Sequence, residues 1–380
     1  MNQRVIYFDV TTLINTPLND GIRRATRSMI ESLMGYSLVQ KSVILIPISF
    51  LDSLPRKNYS IIRTSAGNLL TSVLNHEVVE FKTGDILFVP AYDIFRSEYN
   101  INFHNFPAGI KTVSVIYDLL PVVNSGWFPD DSIKPFESSL KNQLLYSDEI
   151  IVNSQKVKKD LIEFITKYKF KTDIEKIHVL KLTGLSQQDI SSKSKFSAGA
   201  LRKKSPNALK LLMVGTVEPR KGHREVLEIL LKNLDKFDFQ LTVVGRLGWK
   251  VSDEMKMMKK LTHLKPKNFT WIKNASDDQL NELYDTASLC LAASFDEGYG
   301  LPVVEALNRN LPVLARKIEV FNEVSQGATA TFGDGADFVD LENALMNLPK
   351  AFSIAKQRQK FYVKLSNSDF RINLQNILVN

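Results

Sequence analysis

The chain has 380 residues, 44% of them hydrophobic and 24% charged, with a net charge of +8. That length exceeds one compact core and suits two domains of ordinary size, and the composition is globular, which excludes long disordered tracts. A single cysteine, Cys290, and five scattered histidines (His76, His104, His178, His223, His263) exclude an intrachain disulfide framework and offer no metal-ligand spacing.

The opening "MNQRVIYFDVTTL" lacks a signal-peptide pattern, and no run reaches the about 18 apolar residues of a membrane span. A soluble, cytoplasmic protein, or one peripheral to a membrane, is the expectation. "RVIYFDV" (4–10) reads as a buried strand. "NDGIRRATRSMIESLMGY" (19–36) reads as a helix, with Ile22, Ala25, Met29, Ile30 and Leu33 at helical spacing. "SVILIPI" (42–48), "DILFVP" (85–90), "KTVSVIYDLLP" (111–121), "DEIIVNS" (148–154) and "KIHVLKL" (176–182) are short apolar runs between turn or helical stretches. This alternation predicts a parallel sheet covered on both faces.

The Ser- and Lys-rich stretch 186–208 has no sustained period and reads as an interdomain linker. A second alternating series follows: "LKLLMVG" (209–215), "FQLTVVG" (239–245), "FTWIK" (269–273), "SLCLAAS" (288–294), "LPVLAR" (311–316) and "ATATF" (328–332). It predicts a second doubly wound domain, whose ligand would bind beyond the carboxyl ends of the strands. Cys290, inside one of these apolar runs, reads as a buried inert thiol.

The positive charge is concentrated. Residues 151–210 carry 14 Lys/Arg against 5 Asp/Glu, a net of +9. A solvated helix face and a surface attracted to an anionic membrane or an anionic lipid-linked substrate both fit. Nucleic acid is not expected, because binding motifs and interleaved aromatics are missing there.

Two stretches carry chemistry. In "LLMVGTVEPRKGHREVLEIL" (211–230) a strand ends at Gly215, a short loop holds Pro219, Arg220, Lys221 and Gly222, and a helix follows. A helix N-terminus with two cations suits a diphosphate; a basic loop capping the sheet is the alternative. In "FDEGYGLPVVEAL" (295–307) Glu297 lies in the loop and Glu305 about one turn into a helix opened by Pro302. Gly298 and Gly300 permit unusual backbone angles and close ligand approach. Carboxylates accept hydrogen bonds from hydroxyls. Without context, Glu297 reads as a helix-dipole or capping group and Glu305 as a surface helix residue. Cations on one loop and carboxylates on another describe a nucleotide-sugar site.

In this order and at this spacing, "VGTVEPRKG", "VVGRLGW" and "ASFDEGYGLPVVEAL" resemble family 4 of the retaining glycosyltransferases, and the glutamates match that family's E-x7-E motif. The resemblance covers most of the chain and is strongest in the second half. It implies an α/β, GT-B fold, two Rossmann-like doubly wound domains facing a cleft. The acceptor-binding domain would span 1–185 and the donor-binding domain 209–355, with 356–380 a helix crossing back to the first domain. It implies transfer of a hexose, best read as mannose from GDP-mannose, to a growing, lipid-linked glycan, as in bacterial polysaccharide mannosyl- and rhamnosyltransferases. No metal or other cofactor is implied.

By the same resemblance Arg220 and Lys221 neutralise the leaving diphosphate, Glu297 holds hydroxyls of the donated sugar, and Glu305 holds the ribose. Gly21, Gly215, Arg246, Gly298, Tyr299, Gly300 and Leu301 complete the donor site, and Asp118 contacts the transferred sugar. Tyr117 stands where relatives often have a histidine. Ser154 matches a residue near the family's cleft, but a helix N-cap is the preferred reading. A non-catalytic GT-B partner subunit and a sugar-nucleotide epimerase remain as alternatives. The first would ordinarily lose the four charged residues, which are present; the second would betray itself by acting on donor without acceptor.

Overall fold

The structure, a computed structural model, describes residues 5–9, 21–33, 41–45, 82–91, 108–184, 208–333 and 338–379. The linker expected over 186–208 lies, apart from residue 208, outside these, as does most of the basic stretch beyond residue 184. The chain divides into two compact units. One comprises Met1–Ser125, Asp130–Leu182 and Ser366–Asn380, the other Gly126–Pro129 and Thr183–Leu365.

In the first unit, β1 (Val5–Asp9) is followed by α1 (Gly21–Leu33), β2 (Lys41–Leu45), β3 (Ile86–Val89), β4 (Lys111–Ile116), α2 (Leu120–Val123), α3 (Asp130–Tyr146), β5 (Glu149–Val152), α4 (Gln155–Tyr168) and β6 (Ile177–Val179). The strands form one sheet in the order β2-β1-β3-β4-β5-β6, every pair parallel. Strands buried on both faces need side chains apolar throughout, which is why β3 is the unbroken run Ile-Leu-Phe-Val, buried at each position. Helix α1 turns Ala25, Met29, Ile30 and Leu33 inward, while Ile22, grouped with them by spacing, is exposed. Helix α4 begins at Ser154, whose hydroxyl accepts the Val157 N–H at 3.1 Å, so the N-cap reading of Ser154 holds. In the described part of the basic stretch, Lys156 pairs with Asp160 at 2.7 Å and Lys158 donates to the Ile177 carbonyl at 2.6 Å.

The second unit runs β7 (Leu209–Val214), α5 (His223–Lys232), β8 (Phe239–Val244), α6 (Ser252–Leu264), β9 (Phe269–Ile272), α7 (Asp277–Thr286), β10 (Leu289–Ala292), α8 (Leu301–Asn308), β11 (Val313–Arg316), α9 (Glu319–Ser325), β12 (Ala330–Phe332), α10 (Val339–Met346) and α11 (Leu348–Arg358). Its sheet, also all parallel, has the order β12-β11-β10-β7-β8-β9. The chain starts at the middle with β7, builds outward to β9, then returns to lay β10 on the other side of β7. The two halves thus diverge between β7 and β10. In a doubly wound sheet this is where the loops at the carboxyl ends part and leave room for a ligand.

The last helix, α12 (Asn367–Val379), belongs to the first unit. It packs on α1, buries Phe370, Leu374 and Leu378, and receives the Lys111 ammonium at the Ile377 carbonyl, 3.0 Å away. No helix among the described residues is long and apolar enough to cross a membrane.

Candidate active site at the switch point of the second sheet

The loops after β7 and β10, adjacent parallel strands, leave the sheet side by side. After β7, Pro219–Lys221 make a single 3-10 turn that ends at Gly222, in the left-handed conformation with φ +70°. A side chain there would place Cβ 2.2 Å from the Ala293 carbonyl oxygen, so glycine alone lets the turn rest on the end of β10. The Phe295 N–H donates to the Arg220 carbonyl at 2.8 Å and ties the loops together.

Around this tie the charges converge. Arg220 Nη1 donates to Glu297 Oε2 at 2.6 Å and to the Asp296 carbonyl at 3.1 Å, and Nη2 pairs with Glu218 at 2.7 Å. Lys221 Nζ donates to Glu297 Oε1, which also accepts from Ser294 Oγ at 2.8 Å. Glu297 is 7% exposed. Burial pushes its carboxyl pKa up, but the charges and hydrogen bonds of Arg220 and Lys221 outweigh that and hold it at about 2. Such a pair is firmly interdependent: removing one partner leaves a buried, uncompensated charge at a cost of about 3–5 kcal/mol.

Of the expected site residues, Arg220, Lys221 and Glu297 come together. Both cations are matched by carboxylates, which the sequence alone does not show, and Glu297 makes no capping hydrogen bond to α8. Lys221 spends one of its three donors on Glu297. Gly215 borders the Lys221 side chain, whose Cε lies 3.8 Å from where a Cβ would stand. Of the two loop glycines, Gly300 takes the left-handed conformation (φ +88°) as N-cap of α8, and a Cβ there would lie 2.6 Å from the Phe321 ring; Gly298 is buried beside it without a positive φ. Tyr299 is buried and Leu301 opens α8. Arg246 lies in the loop after β8, where its carbonyl accepts the Val217 N–H at 2.8 Å.

Glu305 departs from its surface-residue reading. It is 1% exposed and its Oε2 accepts from the buried Tyr284 hydroxyl at 2.8 Å. Cys290 is buried as expected, and its own burial first, with the Glu305 charge second, pushes its thiol up to about 12. Gly21 and Asp118 lie in the first unit. Gly21 opens α1, Asp118 Oδ1 accepts the Leu120 N–H at 3.1 Å, and the Tyr117 hydroxyl lies 3.2 Å from Thr26 Oγ1.

Several site residues escape a reading of the sequence. Glu218 and Ser294 are the further partners of Arg220 and Glu297; the charge alternation in "EPRK" hinted at the first, and nothing signalled the second. Phe295 is covered by the Arg316 guanidinium, 3.9 Å from its ring centroid, and by the Trp127 ring at 6.4 Å. Trp127 reaches this unit because Gly126–Pro129 packs there, with its carbonyl accepting from Trp249 Nε1 at 2.6 Å. His223, the first residue of α5, is buried against the same loops.

Two parallel-sheet α/β units with an ion cluster at one switch point define the class. Solved glycosyltransferases of the GT-B class share the fold: HepE of Anabaena, in complex with UDP and glucose, matches over 99% of each chain with a TM-score of 0.63 at 15% identity. WaaG, a glycosyltransferase involved in lipopolysaccharide biosynthesis, matches over 99% of this chain and 100% of its own, with a TM-score of 0.63 at 16% identity.

Residues 200–356, which lie within the second unit, match the family described as glycosyl transferases group 1. Among curated proteins, the serotype-specific mannosyltransferase WbdA of Escherichia coli is 28% identical over 341 residues, 85% of this chain and 40% of its own. The chain thus spans about two fifths of the length of that relative. The O-antigen chain mannosyltransferase RfbU of Salmonella typhimurium is 26% identical over 66% of this chain and 65% of its own.

Proposed function

We propose that the protein is a hexosyltransferase that moves mannose from GDP-mannose to a growing, lipid-linked surface glycan with retention at the anomeric carbon. The observation that carries this reading is the Arg220–Lys221–Glu297 cluster at the switch point of a glycosyl transferases group 1 domain. The mannosyltransferase relatives favour mannose, and the UDP held by HepE favours a nucleoside diphosphate as the donor's leaving half.

In this reading Arg220 and Lys221 neutralise the charge that grows on the diphosphate as the glycosidic bond breaks, and so act most strongly in the transition state. Their pairing with Glu297 sets their positions before the donor arrives, which lowers the reorganisation needed on binding. Glu297 then shares its hydrogen bonds with hydroxyls of the donated sugar. Glu305, oriented by Tyr284, takes the ribose. Backbone and side chains of Gly215, Arg246, Gly298, Tyr299, Gly300 and Leu301 line the donor, and Gly21 and Asp118 of the first unit contribute to donor and sugar. No metal is required, since two side-chain cations supply the charge. The reading places the protein in the cytoplasm, at the inner face of the membrane where a lipid-linked acceptor is presented. The basic stretch 151–210 would favour that anionic surface.

The test is release of nucleoside diphosphate from GDP-mannose, UDP-glucose and dTDP-rhamnose, with and without a mannan oligosaccharide acceptor. Acceptor-dependent release from GDP-mannose, lowered at least 100-fold in Lys221→Ala, is the expected result. Release that does not depend on acceptor, or is unchanged in Lys221→Ala, contradicts the reading.

A further inference from the structure

His223 is a buried titratable group that the ion cluster does not use. It is 2% exposed, and neither Nδ1 nor Nε2 has a hydrogen-bond partner among the described residues. A neutral imidazole has one N–H donor and one bare nitrogen acceptor. Burying both without partners costs as much as losing made hydrogen bonds, and native proteins rarely tolerate it. The ring is not hidden in the apolar core. It lines a pocket with Lys221, Ser294, Glu297, Val303 and Phe321, between the ends of β7 and β10. The pocket has room for about one water-sized group. Burial first, and the Lys221 charge second, lower the His223 pKa to about 3, so the ring is neutral at working pH.

The chemistry of the walls narrows the occupant. A phosphate oxygen only accepts and would meet only the N–H. An ammonium only donates and would meet Lys221 as a like charge. A hydroxyl does both: it can accept from the ring N–H and donate on to the Glu297 carboxylate. We propose that His223 binds a hydroxyl in this pocket and holds it against Glu297, which makes it a donor-site residue additional to the cation pair. This rests on the transferase reading above. The hydroxyl comes from one of two sources, the donated sugar or a water molecule retained beneath the diphosphate.

Isothermal titration of GDP, GDP-mannose, UDP and UDP-glucose into the full-length wild type, His223→Leu, His223→Gln and His223→Asn separates these. A sugar hydroxyl predicts that His223→Leu weakens the nucleotide sugar about tenfold and leaves the nucleoside diphosphate unchanged. A water predicts that both weaken by a similar factor, with partial recovery in Gln or Asn. Wild-type affinity for both ligands in His223→Leu overturns the inference, in whichever direction its melting temperature moves. If the Leu variant does not fold, reduced affinity in either the Gln or the Asn variant supports the inference, and wild-type affinity in both overturns it. A wild type that binds no nucleotide contradicts the transferase reading and this inference with it; unchanged binding in the variants contradicts this inference alone.

Discussion

Glu297 is held ionised by two cations against the pull of its own burial, and His223, which lines the same pocket, is held neutral by burial of its own. Both arrangements make the fold sensitive to acid, in different pH windows. The folded pKa of Glu297, about 2, lies below its ordinary 4.5, so its stabilisation is complete above about pH 5 and is lost as pH falls toward 2. A shift of this size corresponds to about 3 kcal/mol. The folded pKa of His223, about 3, lies below its ordinary 6.5. The unfolded chain therefore takes up a proton that the fold refuses, and stability declines as pH falls from 6.5 toward 3. Urea midpoints measured between pH 7.5 and 3 check this. His223→Leu is expected to flatten the decline between pH 6.5 and 4.5, and Glu297→Gln to flatten it below 4.5. Parallel curves for wild type and both variants contradict the assignment.

At the scale of elements, the site is made by two loops that touch because Gly222 has no side chain. Gly222→Ala drives a methyl group into the Ala293 carbonyl and forces a left-handed residue. The expected outcome is a loss of about 2–4 kcal/mol of stability and weaker nucleotide binding, read by chemical denaturation and titration. Wild-type values in both would show that the loops do not depend on this contact. Much at this scale is legible in the sequence. The strands of a parallel sheet are buried on both faces, so "LKLLMV" and "SLCLA" stand out as apolar runs, and Pro302 marks where α8 begins. The partnership of Glu297 with Arg220 and Lys221 is not legible, because 76 and 77 residues separate the partners and only the strand order brings them together. Glu305 looked like a surface residue for a related reason: Tyr284, which anchors it, belongs to a different helix. His223 was invisible because one histidine opening an amphipathic helix carries no pattern.

Across the whole molecule, two similar sheets carry unequal amounts of the described chemistry. The first, with order β2-β1-β3-β4-β5-β6, reverses its strand order between β1 and β3. The loops that follow those strands, 10–20 and 92–107, lie outside the described residues. The second sheet has its switch point occupied by a complete ion cluster. The chain also returns to the first unit for its last helix, so neither unit is a continuous stretch of sequence. The resemblance implied this return over 356–380, whereas the residues themselves read as an ordinary terminal helix.

The claim that organises all of this is that the Arg220–Lys221–Glu297 cluster is a nucleoside-diphosphate site. The most direct test is titration of GDP and UDP into wild type and into Lys221→Ala/Glu297→Gln, which removes one charge of each sign and leaves Arg220 paired with Glu218. The account predicts micromolar binding of one diphosphate by the wild type and at least a tenfold loss in the double variant, with the circular dichroism spectrum unchanged. Equal binding by the two proteins would contradict it.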